Sequence, residues 1–301
     1  MNVSGRRHTP TVRLRRLAAE LRALRTSAGL TREEVSERTS INSATLYRIE
    51  TARVRPQRRT LLALLDTYGV ADPDRRGELL GLCTRARPLE WLRAYESQLP
   101  EPYTAYISFE AEARSVRNYE NAFVPGLLQT ADYAAAVIRG VLPAASDEEV
   151  RHRVEARVQR QAAVADEEND PLTLWAVIDE AVIRRRVGSA GVMARQLRAL
   201  VAAAARPHVT LQVIPFSHGA HPGMPGSFVV MDFPDAADPE LVYVDSMAGD
   251  VFLERACDLR RYTMIFDRLR AVALDPGRSV QMIEAEMDRL DTRGGEEAER
   301  F

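Results

Sequence analysis

Leu30-Thr-Arg-Glu-Glu-Val-Ser-Glu-Arg-Thr-Ser-Ile-Asn-Ser-Ala-Thr-Leu-Tyr-Arg-Ile-Glu50 reads as two short helices joined by a tight turn. Thr31 and Glu34 have capping-box spacing, in which the hydroxyl and the carboxylate each satisfy a free backbone donor at the helix start. Ser40 breaks that helix, and Asn42 is a strong N-cap for the next. In the second helix Leu46 and Ile49 point inward at i, i+3 spacing, which leaves Ser43, Ala44, Tyr47 and Arg48 on the outer face. Small polar residues in the outer first turns, followed by an Arg, suit entry into a DNA major groove.

Working outward, Leu14, Leu17, Leu21 and Leu24 have helical spacing, and Gly29 ends their helix. Downstream, Arg53, Arg55, Arg58 and Arg59 flank Pro56, which suits the first turn of a helix carrying Leu61, Leu62, Leu64 and Leu65 up to Gly69. A fifth helix starts near Asp72-Pro73-Asp74 and carries Leu79, Leu80 and Leu82. This predicts an all-α five-helix domain over residues 12–86, preceded by a flexible basic arm, 1–11, in which Arg6 and Arg7 lie. Pro88, Pro100 and Pro102 mark a linker, 87–102, with a short bridging helix around Trp91 and Leu92.

The charge follows the same division. Residues 1–59 hold 14 Arg against five acids, a net +9, and the rest holds 27 against 38, a net −11. A basic head on an acidic body is the footprint of a module that binds nucleic acid joined to one that avoids it. No basic side chain is Lys, a bias of a high-GC coding sequence and not a functional choice. Cys83 and Cys257 are far apart and are expected to be buried free thiols in a reducing cytoplasm. No apolar run reaches the roughly 18 residues of a membrane span, and the first residues lack a signal-peptide core. The expected location is cytoplasmic.

Residues 103–292 read as an α/β domain with a mixed sheet flanked by helices. Tyr103 to Ala113 suits a helix and Ser115 to Tyr119 a strand. Phe123–Gln129 is an apolar turn into a helix after Thr130, and 146–168 is one long charged helix capped by Ser146-Asp147. Leu172–Ile178, Val209–Ile214, Phe228–Phe233, Leu241–Val244 and a short Val251–Leu253 are β-branched or aromatic between turn residues. The helix Val192–Ala205 between the first two of these makes a βαβ-like unit, so part of the sheet is expected to be parallel and the later strands antiparallel. Leu259, Tyr262, Phe266 and Leu269 line a helix that can cover a sheet face. A last helix near 278–292 leads to a disordered acidic tail, 293–301.

Two resemblances attach to these residues. Leu14 to Val70, through Leu30-Thr31, Glu33-Glu34, Arg48-Ile49-Glu50 and Arg55-Pro56, resembles the phage-repressor-like (XRE-type) helix-turn-helix domain. The resemblance implies that Arg32 takes a phosphate-binding position, that Ser43, Ala44 and Arg48 take base-reading positions, and that Arg25 and Glu50 tie helix 1 to the recognition helix. With Asn42, Thr45, Tyr47, Arg53 and Arg55 these are the expected DNA-binding residues. Ser36 and Ser40 stand where Ala and Gly are usual. Thr39 stands where an aliphatic side chain is usual, and its hydroxyl is costly there unless it finds a partner. A helical hairpin serving only as a dimerisation or packing unit is the alternative, which the motif and the charge disfavour.

Val124-Pro-Gly-Leu-Leu-Gln-Thr130 with Tyr133, Leu174-Trp175 followed by Asp179-Glu180, Arg206-Pro207 with Leu211–Phe216, and Gly219-Ala-His221-Pro-Gly223 together resemble an actinobacterial regulator family, the WhiJ-like proteins of Streptomyces. Its members join a helix-turn-helix to a large uncharacterised C-terminal domain. The resemblance implies a transcriptional regulator, expected to bind double-stranded DNA as a homodimer. It also implies a small partner protein from a neighbouring gene. The alternative role is an antitoxin-like protein that neutralises this partner and autoregulates its operon.

No catalytic constellation stands out, and no enzyme activity or cofactor is expected. His218 and His221 have HxxH spacing but lie in a Gly/Pro-rich loop with no third ligand, so no metal site is expected. Asp179-Glu180 followed by Arg184-Arg185-Arg186 reads as ion pairing. The strand order resembles phospholipase-D-like domains in architecture only, since those need a His-x-Lys pair. A small-molecule ligand is expected at loops that place Gly and Pro beside apolar residues, with Phe123, Leu127, His218, His221 and Phe228 as rim candidates. A plain connecting loop fits His218–Ser227 equally well.

Overall fold

The computed structural model describes residues 11–85, 89–95, 98–165, 171–235, 238–246 and 249–298. Its contacts divide the chain into two compact units, 1–112 and 113–301. The arm residues 1–10, with Arg6 and Arg7, lie outside the described residues, as do parts of the linker 87–102.

The first unit begins with α1 (Val12–Ser27), capped by the Thr11 side chain on the Leu14 N–H. Then follow α2 (Arg32–Thr39), α3 (Ser43–Glu50), α4 (Arg58–Thr67) and α5 (Pro73–Arg85). The α2 capping box forms as expected, and Ser40 ends that helix in the left-handed region at φ 58°. The Thr39 hydroxyl, costly if unpaired, donates to the Val35 carbonyl at 2.7 Å. Leu17, Leu21, Val35, Leu46, Ile49, Leu61, Leu64, Leu65 and Leu79 close one core. Trp91–Ala94, expected as a bridging helix, is a single 3-10 turn. α6 (Glu101–Glu110) falls by its contacts in this first unit.

The second unit is built on a six-stranded mixed sheet of order β3-β2-β1-β4-β5-β6. The strands are β1 (Ser115–Glu120), β2 (Thr173–Asp179), β3 (Val209–Ile214), β4 (Phe228–Asp232), β5 (Leu241–Val244) and β6 (Val251–Leu253). β1, β2 and β3 are parallel, with Tyr119 opposite Val177 and Asp179 opposite Ile214. β4, β5 and β6 are antiparallel. The first crossover carries α7 (Ala131–Val141), α8 (Asp147–Arg160) and α9 (Ala162–Ala165), and the second carries α10 (Glu180–Arg184) and α11 (Ala190–Ala204). α12 (Ala256–Val272) sets Phe266 and Leu269 on one sheet face, against Tyr119, Val177, Ile214, Phe228, Val230 and Val242. β3 is an edge strand, and the approach to α13 (Pro276–Ala298) seals it. Leu274 N–H donates to the Val213 carbonyl at 2.9 Å, and Val213 N–H donates to the Ser279 hydroxyl at 3.0 Å.

Three expectations need correction. The charged helix 146–168 stops at Arg160, because the Gln161 side chain turns back to donate to the carbonyls of Gly126 (3.0 Å) and Gln129 (2.6 Å); residues 166–168 lie outside the described residues. The last helix continues through 293–298, where disorder was expected, since extending a formed helix costs little per residue. Cys83 is buried and donates to the Pro56 carbonyl, but Cys257 is exposed on the first turn of α12.

Candidate nucleic-acid interface and the polar end of the sheet

α3 is held by one carboxylate. The Glu50 side chain is 2% exposed and receives Arg25 through Nε at 2.6 Å and Nη2 at 3.2 Å. Arg32 Nε reaches the same carboxylate at 2.9 Å. Arg25 also donates to the Leu30 carbonyl at 2.7 Å, so it spans α1, the α1–α2 turn and α3. The hydrogen bond to Glu50 raises the Arg25 guanidinium above its ordinary value against the effect of burial. The Tyr68 hydroxyl lies buried nearby without a partner among the described residues, and burial, with Glu50 adding, pushes it up to about 12.

The outward side of α3 carries the residues expected to meet DNA. Ala44, Tyr47 and Arg48 are exposed, while Ser43 and Thr45 are half-buried. Asn42 is exposed too, but its side-chain oxygen accepts the Ala44 N–H at 2.8 Å as the N-cap. Arg48 lies along its own helix, donating to the Ala44 carbonyl (3.3 Å) and the Thr45 hydroxyl (3.1 Å). Tyr47 receives two guanidinium groups on its ring, Arg32 at 5.3 Å and Arg53 at 5.7 Å from the centroid. Ala52 makes this possible: at φ 56° it turns the chain so that the N–H groups of Arg53 and Val54 both return to the Arg48 carbonyl. A left-handed alanine costs about 1 kcal/mol, and nothing in the residue type announced it. Arg55 is half-buried, and its charge lowers the Cys83 thiol, partly offsetting the effect of burial.

In the second unit, parallel β1 and β2 end at Glu120 and Asp179, antiparallel β4 begins at Phe228, and β5 ends at Val244. One end of the sheet therefore gathers Glu120, Asn121, Asp179, Asp245 and the loop 215–227. In open α/β sheets ligands bind at this end. His221 Nε2 lies 3.2 Å from Asp179 Oδ2, while Asp179 Oδ1 caps α10 by accepting the Ala181 N–H at 2.8 Å. Glu180 accepts the Phe216 N–H at 2.7 Å and so fixes where the loop leaves β3. Asn121 ties the loop to β1 through Ser227 and the Met224 carbonyl. Gly223 lies flat against Tyr119, where a Cβ would come within 2.5 Å of the ring. On the other side of β1, burial pushes the Glu120 carboxyl up to about 7; Ser227, Asn118 and Arg157 act against the rise, and Asp245 adds to it.

Of the five rim candidates, His221 and Phe228 gather around Tyr119, and His218 stands exposed with its ring centroid 6.5 Å from that of His221. Leu127 is buried in a turn that packs on α8 and α11 and is pinned by Gln129, Gln161 and Gln196. It belongs to the framework. Phe123 is half-buried and lies outside the apolar cluster around Tyr119 and Phe228. Tyr119, Asn121 and Asp245 were missed because their neighbours lie far along the chain. Among the described residues, no group of three or more His, Cys, Asp or Glu could hold a metal ion, and no helix is long and apolar enough to cross a membrane.

Comparison with known families gives two matches. Residues 16–79 match a helix-turn-helix domain, and residues 103–285 match a domain of unknown function, DUF5753. No curated protein and no solved structure matches the chain. Since the second match spans more than half of its length, the chain belongs to the DUF5753 family, with a helix-turn-helix domain placed before the family domain.

Proposed function

We propose that the protein is a sequence-specific, DNA-binding transcriptional regulator whose C-terminal unit receives a signal from a small molecule or a protein partner. The observation that carries this reading is the Glu50 hub, which spends two guanidinium groups on holding α3 in place while Ala44, Tyr47 and Arg48 stay exposed. A helix so anchored presents its outer face to a major groove without reorganising. The net +9 on residues 1–59 supports the same reading. Kinship with the actinobacterial WhiJ-like regulators rests on the quoted C-terminal segments and brings in the small partner protein as one source of the signal. The protein acts as a homodimer in the cytoplasm and without catalysis, and signal binding shifts it towards an arrangement that does not hold DNA.

The test is genome-wide mapping of sites bound by the full chain. The expected result is a set of sites with paired half-sites about 10 base pairs apart or a multiple of that. Binding with no sequence preference, or none at all, overturns the reading. If a small protein from the adjoining gene co-purifies and its release is the only phenotype of deletion, the antitoxin-like role replaces it.

A further inference from the structure

Two polar atoms at the end of the sheet have no hydrogen-bond partner among the described residues, the Tyr119 hydroxyl and His221 Nδ1. Tyr119 is fully buried, and the His221 side chain is 3% exposed. Burying a polar group unpaired destabilises a fold, and here two such groups stand together, with ring centroids 6.0 Å apart.

Their chemistry is set by their neighbours. Asp179 is held by the Ala181 N–H and turns its second oxygen to His221 Nε2. A carboxylate accepts, so Nε2 carries a proton, and in the neutral ring Nδ1 is left as a bare acceptor. Tyr119 packs against Phe228 at 5.8 Å, within the cluster of Val177 and Ile214. Burial raises its ionisation well above the ordinary phenol value, which keeps the hydroxyl as a donor. The protein thus presents an acceptor beside a donor in an apolar setting, and the Asp179 charge is already answered by two N–H groups.

We propose that Tyr119, Asp179 and His221 form an effector site that binds a small uncharged ligand by an amide edge, its N–H to His221 Nδ1 and its carbonyl to the Tyr119 hydroxyl. A lactam, an imide or a primary carboxamide has this edge. The proposal rests on reading the C-terminal unit as a signal receiver and names the ligand class for it. An ion would lose its hydration in these surroundings, and an anion would also meet Asp179. The tip of the loop, 222–226, covers the site, and Gly223 lies on the Tyr119 ring. Gly219 (φ 76°) and Gly226 (φ 156°) bracket it. Met224 N–H to the His221 carbonyl and Gly226 N–H to the Gly223 carbonyl turn it on itself. Its ties to β1 are three hydrogen bonds with Asn121, 3.4 Å to the Met224 carbonyl and 3.3 Å and 3.1 Å with the Ser227 hydroxyl, and His221 holds it to Asp179. Moving this tip while His221 stays on Asp179 takes Gly223 off the Tyr119 ring.

The full chain is titrated with 2-pyrrolidinone, a minimal lactam, and with N-methyl-2-pyrrolidinone, which lacks the N–H. Imidazole nitrogen resonances are followed by NMR, with His221 assigned by its loss in His221→Gln. The expected result is an Nε2-protonated ring whose Nδ1 resonance moves saturably with the lactam only, in the millimolar range of so small a ligand. Tyr119→Phe, which keeps the ring packing, weakens the lactam about tenfold. A missing response, an equal response to both compounds, unchanged binding in Tyr119→Phe, or a structural water that the lactam does not displace overturns the site. A thermal-shift assay with a small-molecule extract of the host separates this from the underlying reading. Equal stabilisation of wild type and Tyr119→Phe by the extract sinks the site and leaves the receiver standing. No stabilisation by extract or lactam counts against both.

Discussion

The two units differ in the reach of the contacts that decide them. In the first, Glu50 meets Arg25 and Arg32, 25 and 18 residues away, and short helices close one core through small turns. In the second, Asp179 finds His221 across 42 residues, and Asn118 finds the Phe228 carbonyl across 110. Short reach lets a few charges hold a rigid face. Long reach brings distant groups together at one sheet end. On the proposed reading the first unit presents a surface and the second responds to a signal.

Breaking the hub should have the largest effect. Glu50→Ala leaves two guanidinium groups facing a buried gap and should cost about 3 kcal/mol, the lower end for a broken buried pair because Arg32 is partly exposed. The loss should appear in the denaturant-induced transition of the first unit and in DNA affinity together. A loss of binding with no loss of stability would show that Glu50 does not hold α3.

Next comes Gly223→Ala, which drives a Cβ into a fully buried ring and should cost about 1–3 kcal/mol in the second unit alone. Unchanged unfolding would mean that the loop already stands clear of Tyr119. Arg48→Ala should cost about 1–3 kcal/mol on the best DNA site and relax preference at one base pair. It should leave both unfolding transitions in place, since its hydrogen bonds stay within its own helix. Equal loss on all sequences would make Arg48 a phosphate contact. Arg53→Ala should lower the salt dependence of binding by about one ion, and Arg32→Ala should lower it by less while also lowering stability, because Arg32 is shared with Glu50.

The smallest effect is a change of slope. Glu120 has its folded value raised to about 7 from an ordinary 4.5. The folded state thus keeps a proton that the unfolded state releases, and stability falls as pH rises between these values. Glu120→Gln should flatten that decline in melting temperature between about pH 4.5 and pH 7. A slope unchanged by the substitution would assign it to another group.

How far each unit could be read in advance follows from the same difference in reach. Thr31, Glu34, Asn42 and Gly29 act on backbone within a few residues, and Leu46 and Ile49 declare their face by spacing alone. Strand patterns gave the parallel and antiparallel halves of the sheet, because crossover length limits how strands can pair. Gln161 was not legible as a helix stop, since its reason is a pair of carbonyls more than 30 residues earlier. His221 was visible as a residue of interest, while its partner Asp179 looked like an ion-pair residue. Tyr119 looked like ordinary core. Only the tertiary fold shows that its hydroxyl is left over.

The sealing of β3 by residues 274–279 also sets a timetable. Every strand of the sheet is synthesised before the segment that covers its parallel edge. Until Leu274 and Ser279 have emerged and docked, Val213 offers an open donor and acceptor to any passing strand, a hazard shared by all uncovered edges. Chains cut before Leu274 should therefore be recovered as aggregates even when all six strands are present, and the final stretch of translation is the step at which this sheet becomes safe from its neighbours.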